Sequence, residues 1–311
     1  MKKISLVVPV FYEQECILQF IKEVKNIFEI LEGKYLYEFV FVDDGSQDNT
    51  CDLVKKEAET DSNIKLIEFS YNHGKQWAVS AGIKYATGDF MIYMDPDLQD
   101  PPEEIPRFIE EIEKGYDLVF GIRKERRDSL INVIFSKLFW WVLEKFTGLK
   151  IPTGIAVMRI FNKKFATRFL SYPEQNRFIE GIFMHVGLKQ TAIEVSQRER
   201  FAGVSKFNFR RKMRLAFDAI FDFSELPLKM AVKLGLYLII ISITALFSIV
   251  IARLFFVQFQ LGWPSIIITI LGSVGILLFF IGIIAIYIGR IYKEVKARPL
   301  YSIKQLTNIN E

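Results

Sequence analysis

The side chains in this chain best suited by type and spacing to do chemistry lie in Tyr93-Met94-Asp95-Pro96-Asp97-Leu98-Gln99-Asp100-Pro101-Pro102. An apolar strand expected over Phe90–Asp95 ends there in two carboxylates one residue apart. Residues so spaced in an extended chain project to the same side, within about 7 Å of each other. Two like charges that close are costly unless a cation or a proton sits between them. A hard divalent ion, Mg²⁺ or Mn²⁺, held by one or two carboxylates and by substrate phosphates would supply the cation. Turns are rich in aspartate as well, so the pair alone also admits a plain turn, and its place at a strand end is what favours the metal.

A second apolar run, Phe39-Val40-Phe41-Val42, ends in Asp43-Asp44-Gly45-Ser46, with Asp48 close behind. Asp43 could accept hydrogen bonds from a base or a ribose. Turn chemistry followed by a helix cap fits the same residues equally well. The two histidines, His73 and His185, stand in no ligand-like or triad-like context and read as structural. Cys16 and Cys51 lack metal-ligand spacing and read as free thiols. No Gly-x-x-x-x-Gly-Lys or Gly-x-Gly-x-x-Gly loop occurs, so ATPase and dehydrogenase readings lose their usual support.

The elements that must position these carboxylates read as short apolar strands alternating with amphipathic helices, the pattern of a mostly parallel α/β sheet. Strands are expected over 4–10, 37–43, 64–70, 90–95 and 117–121, with helices near 14–32, 48–60, 75–86 and 103–114. The opening Met1-Lys2-Lys3 and the apolar residues after it imitate a signal peptide. Pro9, Glu13 and Glu15 cut the run short, so it reads as the first strand. In open sheets of this kind ligands bind outside the carboxyl ends of the strands, where both acidic motifs fall.

Farther along, 19 uncharged residues lie between Lys233 and Arg253 and 36 between Arg253 and Arg290, each run long enough to cross a bilayer. Lys229 and Lys233 precede the first, and Arg290, Lys293, Lys296 and Arg298 follow the second, whereas the connection between them carries no charge. That asymmetry puts both chain ends in the cytoplasm. Before the spans, Arg198–Arg214 holds seven Lys or Arg against one acid. Within Phe207–Phe223 one helical face carries Phe209, Met213, Ala216, Ile220 and Phe223 and another carries Arg211, Arg214, Asp218 and Asp222. This is the form of a helix lying in the headgroup plane. Leu130–Phe146, with Phe139, Trp140 and Trp141, fits a membrane-surface helix and a core helix equally. A net charge of only +4 does not imply a nucleic-acid partner.

The two strand-end motifs, preceded by Val8-Pro9-Val10-Phe11-Tyr12-Glu13, resemble the nucleotide-sugar half of the family 2 glycosyltransferases, which have a GT-A (Rossmann-like) fold. Asp95-Pro96-Asp97-Leu98-Gln99 is similar to the metal site of dolichol-phosphate mannose synthases and bactoprenol glucosyltransferases. Arg200–Phe207, Phe223–Leu228 and Tyr287–Pro299 match the bacterial two-span branch in order. The resemblance implies a GT-A domain over 1–205, a juxtamembrane amphipathic helix over 206–231, a two-helix transmembrane anchor over 232–290 and a cytoplasmic basic tail over 291–311. It also implies metal-dependent, inverting transfer of a sugar from a nucleotide-sugar to a polyprenyl phosphate at the inner face of a bacterial-type cytoplasmic membrane, and it points to a homo-oligomer. Carried over by residue, Pro9, Tyr12, Glu13, Asp43 and Asp44 would hold the nucleotide-sugar, and Asp95, Asp97 and Gln99 would surround the metal. Arg123 and Arg126 would face the phosphates, with Ser205 and Lys206 near the acceptor phosphate.

The chain departs from the family pattern twice. Ala156-Val157-Met158-Arg159-Ile160 stands where Gly-Asp-Phe-Arg-Leu is common, so an active-site carboxylate is missing, and Ala285-Ile286-Tyr287 replaces Gly-Glu-Tyr. A catalytically silent binding protein of the same fold is the alternative those changes raise. A processive polysaccharide synthase, the other alternative, would normally add a Gln-x-x-Arg-Trp motif and more spans, neither of which the chain contains.

Overall fold

The computed structural model describes residues 1–123, 152, 154–175, 177–198, 201, 226–255 and 263–309. The described residues fall into two units, Met1–Lys212 together with Pro299–Glu311, and Met213–Arg298.

The first unit is built on a mixed sheet whose parallel heart comprises β1 (Lys2–Val10), β2 (Tyr35–Asp43), β3 (Ile64–Phe69) and β4 (Phe90–Tyr93). Their runs of Val, Ile and Phe are buried on both faces, as strands covered by crossover helices must be. Helix α1 (Ile17–Ile30) buries Ile17, Phe20, Ile21, Val24 and Phe28, an i, i+3, i+4, i+7 stripe. It packs on one sheet face with α2 (Thr50–Thr60) and α4 (Ile105–Ile112). Helix α3 (Lys75–Tyr85) covers the other face through Trp77, Ala78 and Ala81. Beyond β4 the sheet continues with β5 (Leu118–Arg123), β6 (Ile155–Asn162) and β7 (Gln190–Val195), helices α5 (Lys163–Leu170) and α6 (Ile179–His185) falling between the last two strands in sequence. β6 runs antiparallel to both β4 and β5, and the strand order from that edge is β7-β5-β6-β4-β1-β2-β3. The expected strand and helix positions up to residue 121 agree with these bounds to within a few residues.

The remaining strand comes from the end of the chain. β8 (Ile303–Thr307) pairs antiparallel with β3 and closes the sheet edge, where a basic tail was expected. Its sequence, Ile-Lys-Gln-Leu-Thr, does not alternate strictly, which hides it from pattern reading. The ladder shows why the pattern still works. The register shifts between Glu68 and Phe69, so Phe69 pairs with Ile303 and Ile67 with Leu306, and the extra residue, Lys304, lets apolar residues three apart reach one cluster.

The second unit contains two long helices, α7 (Leu226–Phe255, 30 residues) and α8 (Trp263–Lys296, 34 residues). Among the described residues one stretch is long and apolar enough to cross a bilayer by composition, Gly272–Lys296 with mean hydropathy 2.4. The amphipathic segment 207–223 and the segment 130–146 lie outside the described residues.

Candidate functional site

The carboxyl ends of β1, β2, β3 and β4 bring four loops to one edge of the sheet. After β1 the chain turns at Tyr12, whose φ of 55° lies in the left-handed region that non-glycine residues rarely occupy. The turn is held by neighbours on the β2 side. The Tyr12 N–H donates to Ser46 Oγ (3.0 Å), the Glu13 N–H donates to Thr50 Oγ1 (2.8 Å), and the Asp44 N–H donates to Val10 O (3.0 Å). Pro9, which lacks an N–H, sits within β1 in register with Val42.

Asp43 and Asp44 are both buried and do different things. Asp43 Oδ2 accepts the Ser46 N–H at 3.0 Å, whereas Oδ1 is buried without a partner in the protein. Burial raises the Asp43 carboxyl above the ordinary aspartate range, despite the hydrogen bonds from Ser46. Asp44 accepts from the backbone N–H groups of His73 (2.7 Å) and Gly74 (2.9 Å) and from Asn72 Nδ2 (3.0 Å), which ties the loop after β3 to the end of β2. Burial pushes Asp44 up to about 6, against those N–H donors and with the help of its neighbour Asp43. Close approach of the two loops requires Gly45. A Cβ there would meet the Tyr71 carbonyl carbon at 2.6 Å and the Asn72 nitrogen at 2.7 Å, and its φ is 78°.

β4 ends at Tyr93, two residues before the first acid, so Asp95 and Asp97 both lie beyond the strand and Asp97 lies in a turn. The same-side argument from strand geometry therefore does not apply to them. The turn is shaped instead by the Gln99 N–H donating to Asp97 Oδ1 (3.1 Å) and by Leu98, buried with a φ of 58°. A later segment closes over it, with the Arg198 N–H donating to Gln99 O (3.0 Å) and the Phe201 N–H to Asp97 O (3.3 Å). Left-handed non-glycine backbone thus stands at Tyr12 after β1 and at Leu98 after β4, as is common where a ligand site over-determines the chain.

Sequence reasoning did not single out Lys75, the first residue of α3. Its Nζ lies 2.6 Å from Asp95 Oδ2 and 5.6 Å from the centre of the Tyr93 ring, and the pair is open to solvent, 45% and 23% exposed. The signal was available in Gly74-Lys75 at a helix start directly after a strand, on the same sheet edge as the acids. Behind Tyr93 lies Arg159, 1% exposed, whose guanidinium grips Glu180 at 2.8 and 3.1 Å and stacks within 5.3 Å of the Tyr93 ring.

Arg123 Nη2 lies 3.2 Å from Asp100 Oδ1, while Asp100 Oδ2 accepts the Met158 N–H at 2.8 Å. One carboxylate therefore pins Arg123 to β6 beside Val157, where the resemblance led an aspartate to be expected. Arg126, Ser205 and Lys206 lie outside the described residues.

Among the described residues no group of three or more His, Cys, Asp or Glu could hold a metal by itself. The donor set nevertheless fits a hard ion. Asp95 already accepts a cation in the form of the Lys75 ammonium, Asp97 supplies a second carboxylate, and ions such as Mg²⁺ take one or two carboxylates and complete their shell with water and substrate phosphate.

A family model described as Glycosyl transferase family 2 matches residues 5–170. The SfII prophage-derived bactoprenol glucosyl transferase of Shigella flexneri is 38% identical over 304 residues, 97% of this chain and 98% of its own length. An uncharacterized glycosyltransferase of Bacillus subtilis is 35% identical over 97% of this chain and 93% of its own length. Among solved structures, a mannosyltransferase from Pyrobaculum calidifontis in complex with GDP-Man and Mn²⁺ superposes with a TM-score of 0.50 at 17% identity, over 96% of this chain and 88% of that one.

Proposed function

The chain belongs to glycosyl transferase family 2 and is a glycosyltransferase of GT-A-like α/β fold, and on that premise we propose that it moves a sugar from a nucleotide-sugar onto a polyprenyl phosphate at the cytoplasmic face of a membrane. The observation that carries the reading is the pairing, at one sheet edge, of a buried Asp43 oxygen without a partner and an open Asp95 carboxylate that already accepts a cation. Similarity to a bactoprenol glucosyl transferase over nearly the whole chain supports a lipid phosphate as acceptor.

Asp43 Oδ1 accepts an N–H or O–H from the nucleoside, repaying the cost of burying that oxygen unpaired. Tyr12, Glu13 and Asp44 shape the walls of the same pocket, Asp44 by fixing residues 72–74. Asp95 and Asp97, with Gln99 beside them, would hold a Mg²⁺ or Mn²⁺. When bound, that ion offsets the negative charge that develops on the departing nucleoside diphosphate. Lys75, Arg123 and Arg126 add positive charge around the phosphates, and Ser205 and Lys206 meet the acceptor phosphate. The acceptor oxygen bonds to the anomeric carbon as the bond from that carbon to the diphosphate oxygen breaks, so one displacement inverts the centre. A lipid phosphate with a second pKa near about 6 is already ionised at neutral pH, so little base assistance is needed and Val157 can stand where relatives carry aspartate.

Chain connectivity supports a membrane anchor with two crossings. The segment Met213–Arg298 leaves from and returns to one globular unit, because β8 pairs with β3. A globular domain stays on one side of a bilayer, so its anchor crosses an even number of times, and if Gly272–Lys296 spans then α7 spans before it.

Asp97→Asn tests the metal-dependent reading. The amide oxygen of the substituted side chain can still accept the Gln99 N–H, so the turn is kept while a cation ligand is weakened. Transfer is expected to fall by about 100-fold or more, and chelation of divalent ions to have the same effect. Activity undiminished by both treatments would remove the metal from the mechanism.

A further inference from the structure

We infer that the chain end after α8 is part of the donor site, and that His73 is the positioning residue through which it acts. The inference rests on the donor reading above. Residues 70–74 form the loop that joins the two acidic motifs: Asp44 grips its backbone from the β2 side, and Lys75, immediately after it, reaches Asp95. What holds the opposite side of this loop is the tail. His73 Nε2 accepts the Ser302 N–H at 3.2 Å, Ser302 O accepts the Ser70 N–H at 2.9 Å, and the Tyr301 ring stacks on Phe69 at 5.0 Å. The tail is fastened at its other end as well, where Asn308 Nδ2 donates to Ala58 O (2.8 Å) and Ile64 O (2.9 Å).

The loop therefore lies between two clamps, and the imidazole is shared by both. Its own backbone N–H is held by Asp44, its ring is stacked on Tyr71 at 4.0 Å, and its far nitrogen meets the tail. A five-residue loop fixed at both sides has little freedom left to lose when a ligand binds, and ordering cost saved in this way appears as affinity. Without the Ser302 contact the loop keeps the Asp44 clamp and the ring stacking but gains freedom on its outer side. The effect expected is on donor affinity and not on the displacement itself, because His73 touches none of the reacting groups.

His73→Phe is the direct test, since it keeps a ring for Phe69 and Tyr71 and removes the ring nitrogens, among them the Nε2 that accepts the Ser302 N–H. His73→Gln can restore an acceptor and serves as the conservative partner. Binding of UDP and GDP in the presence of Mn²⁺ is measured calorimetrically on the full-length protein in detergent, together with KM for the donor and kcat. His73→Phe is expected to weaken the nucleotide that binds wild type, and to raise the donor KM, by about fivefold, the equivalent of one ordinary hydrogen bond. Unchanged kcat and partial recovery in His73→Gln are expected alongside. Wild-type binding with no loss of affinity in His73→Phe would overturn the inference and leave the function proposal standing, as would a loss confined to kcat. A wild type that binds neither nucleotide would overturn both.

Discussion

At the scale of single residues, the two acidic motifs were legible because each follows an apolar strand, and a strand end in a parallel sheet is where ligands meet the fold. What each acid does was not legible. Nothing in Asp43-Asp44 reveals that the first leaves a buried oxygen without a partner while the second is consumed in holding residues 72–74. Lys75 was missed for a related reason, since its contact with Asp95 depends on where α3 starts in space and not on sequence distance. Asp43 carries a prediction with a definite sign. Its carboxyl is raised in the folded protein, chiefly by burial, so the stability this group contributes is fully present below its unfolded pKa and is lost as pH rises through the folded one. Asp43→Asn removes that ionisation, retains an acceptor for the Ser46 N–H and deletes the unpaired charge. The donor-free variant is expected to melt above wild type at pH 7.5, with the advantage shrinking as pH falls toward about 4, and to bind the donor at least about tenfold more weakly, since the nucleoside loses a charged acceptor. Thermal melts across pH beside donor titrations check both. A variant that melts lower than wild type at pH 7.5 and binds the donor normally would show that Asp43 is structural.

At the scale of elements, strands and helices up to residue 121 followed from the alternation of apolar runs and amphipathic stripes, because each of those strands is buried on both faces. β6, β7 and β8 did not follow. β6 contains Arg159 in its middle, which reads as a break in an apolar run until the Glu180 partner and the flanking rings are known. β8 is a five-residue edge strand whose pattern is displaced by a bulge, and its partner β3 lies more than two hundred residues earlier. The tail is nonetheless a structural part of the first unit, with Leu300, Tyr301, Ile303, Leu306 and Ile309 all packing on the cluster that contains Phe69 and Trp77. A chain stopped at Phe223 therefore loses sheet edge along with anchor. Its first unit is expected to be destabilised by about 4 kcal/mol, taking somewhat under about 1 kcal/mol for each of five partly buried apolar side chains. A second chain, in which a flexible Gly/Ser linker replaces residues 224–298 and residues 299–311 are kept, is expected to recover that stability and to bind donor without a membrane. Equal denaturant midpoints for the two chains would show that β8 contributes nothing.

At the scale of the whole molecule, a sheet edge built for a nucleotide-sugar is covalently joined at two places, residues 212 and 299, to a segment rich in long apolar helix. Such an arrangement suits an enzyme whose donor is dissolved in water and whose acceptor is dissolved in lipid: the globular unit remains on one side while the anchor keeps it at the surface where the acceptor phosphate is presented. Two crossings with both ends on the cytoplasmic side are the topology we propose, in keeping with the Lys and Arg residues that flank the apolar runs. The proposed function requires that this chain, with Val157 as it stands, transfer sugar to a lipid phosphate. The most direct measurement incubates membranes containing the wild-type protein with polyprenyl phosphate, Mg²⁺ or Mn²⁺ and a panel of nucleotide-sugars at saturating concentration, and follows the lipid by mass. One nucleotide-sugar is expected to add a single sugar residue to the lipid phosphate at pH 6 to 8, with the product abolished by chelation and by Asp97→Asn. A wild type that forms no glycolipid with any donor, and gains activity only as Val157→Asp, would contradict the proposed function.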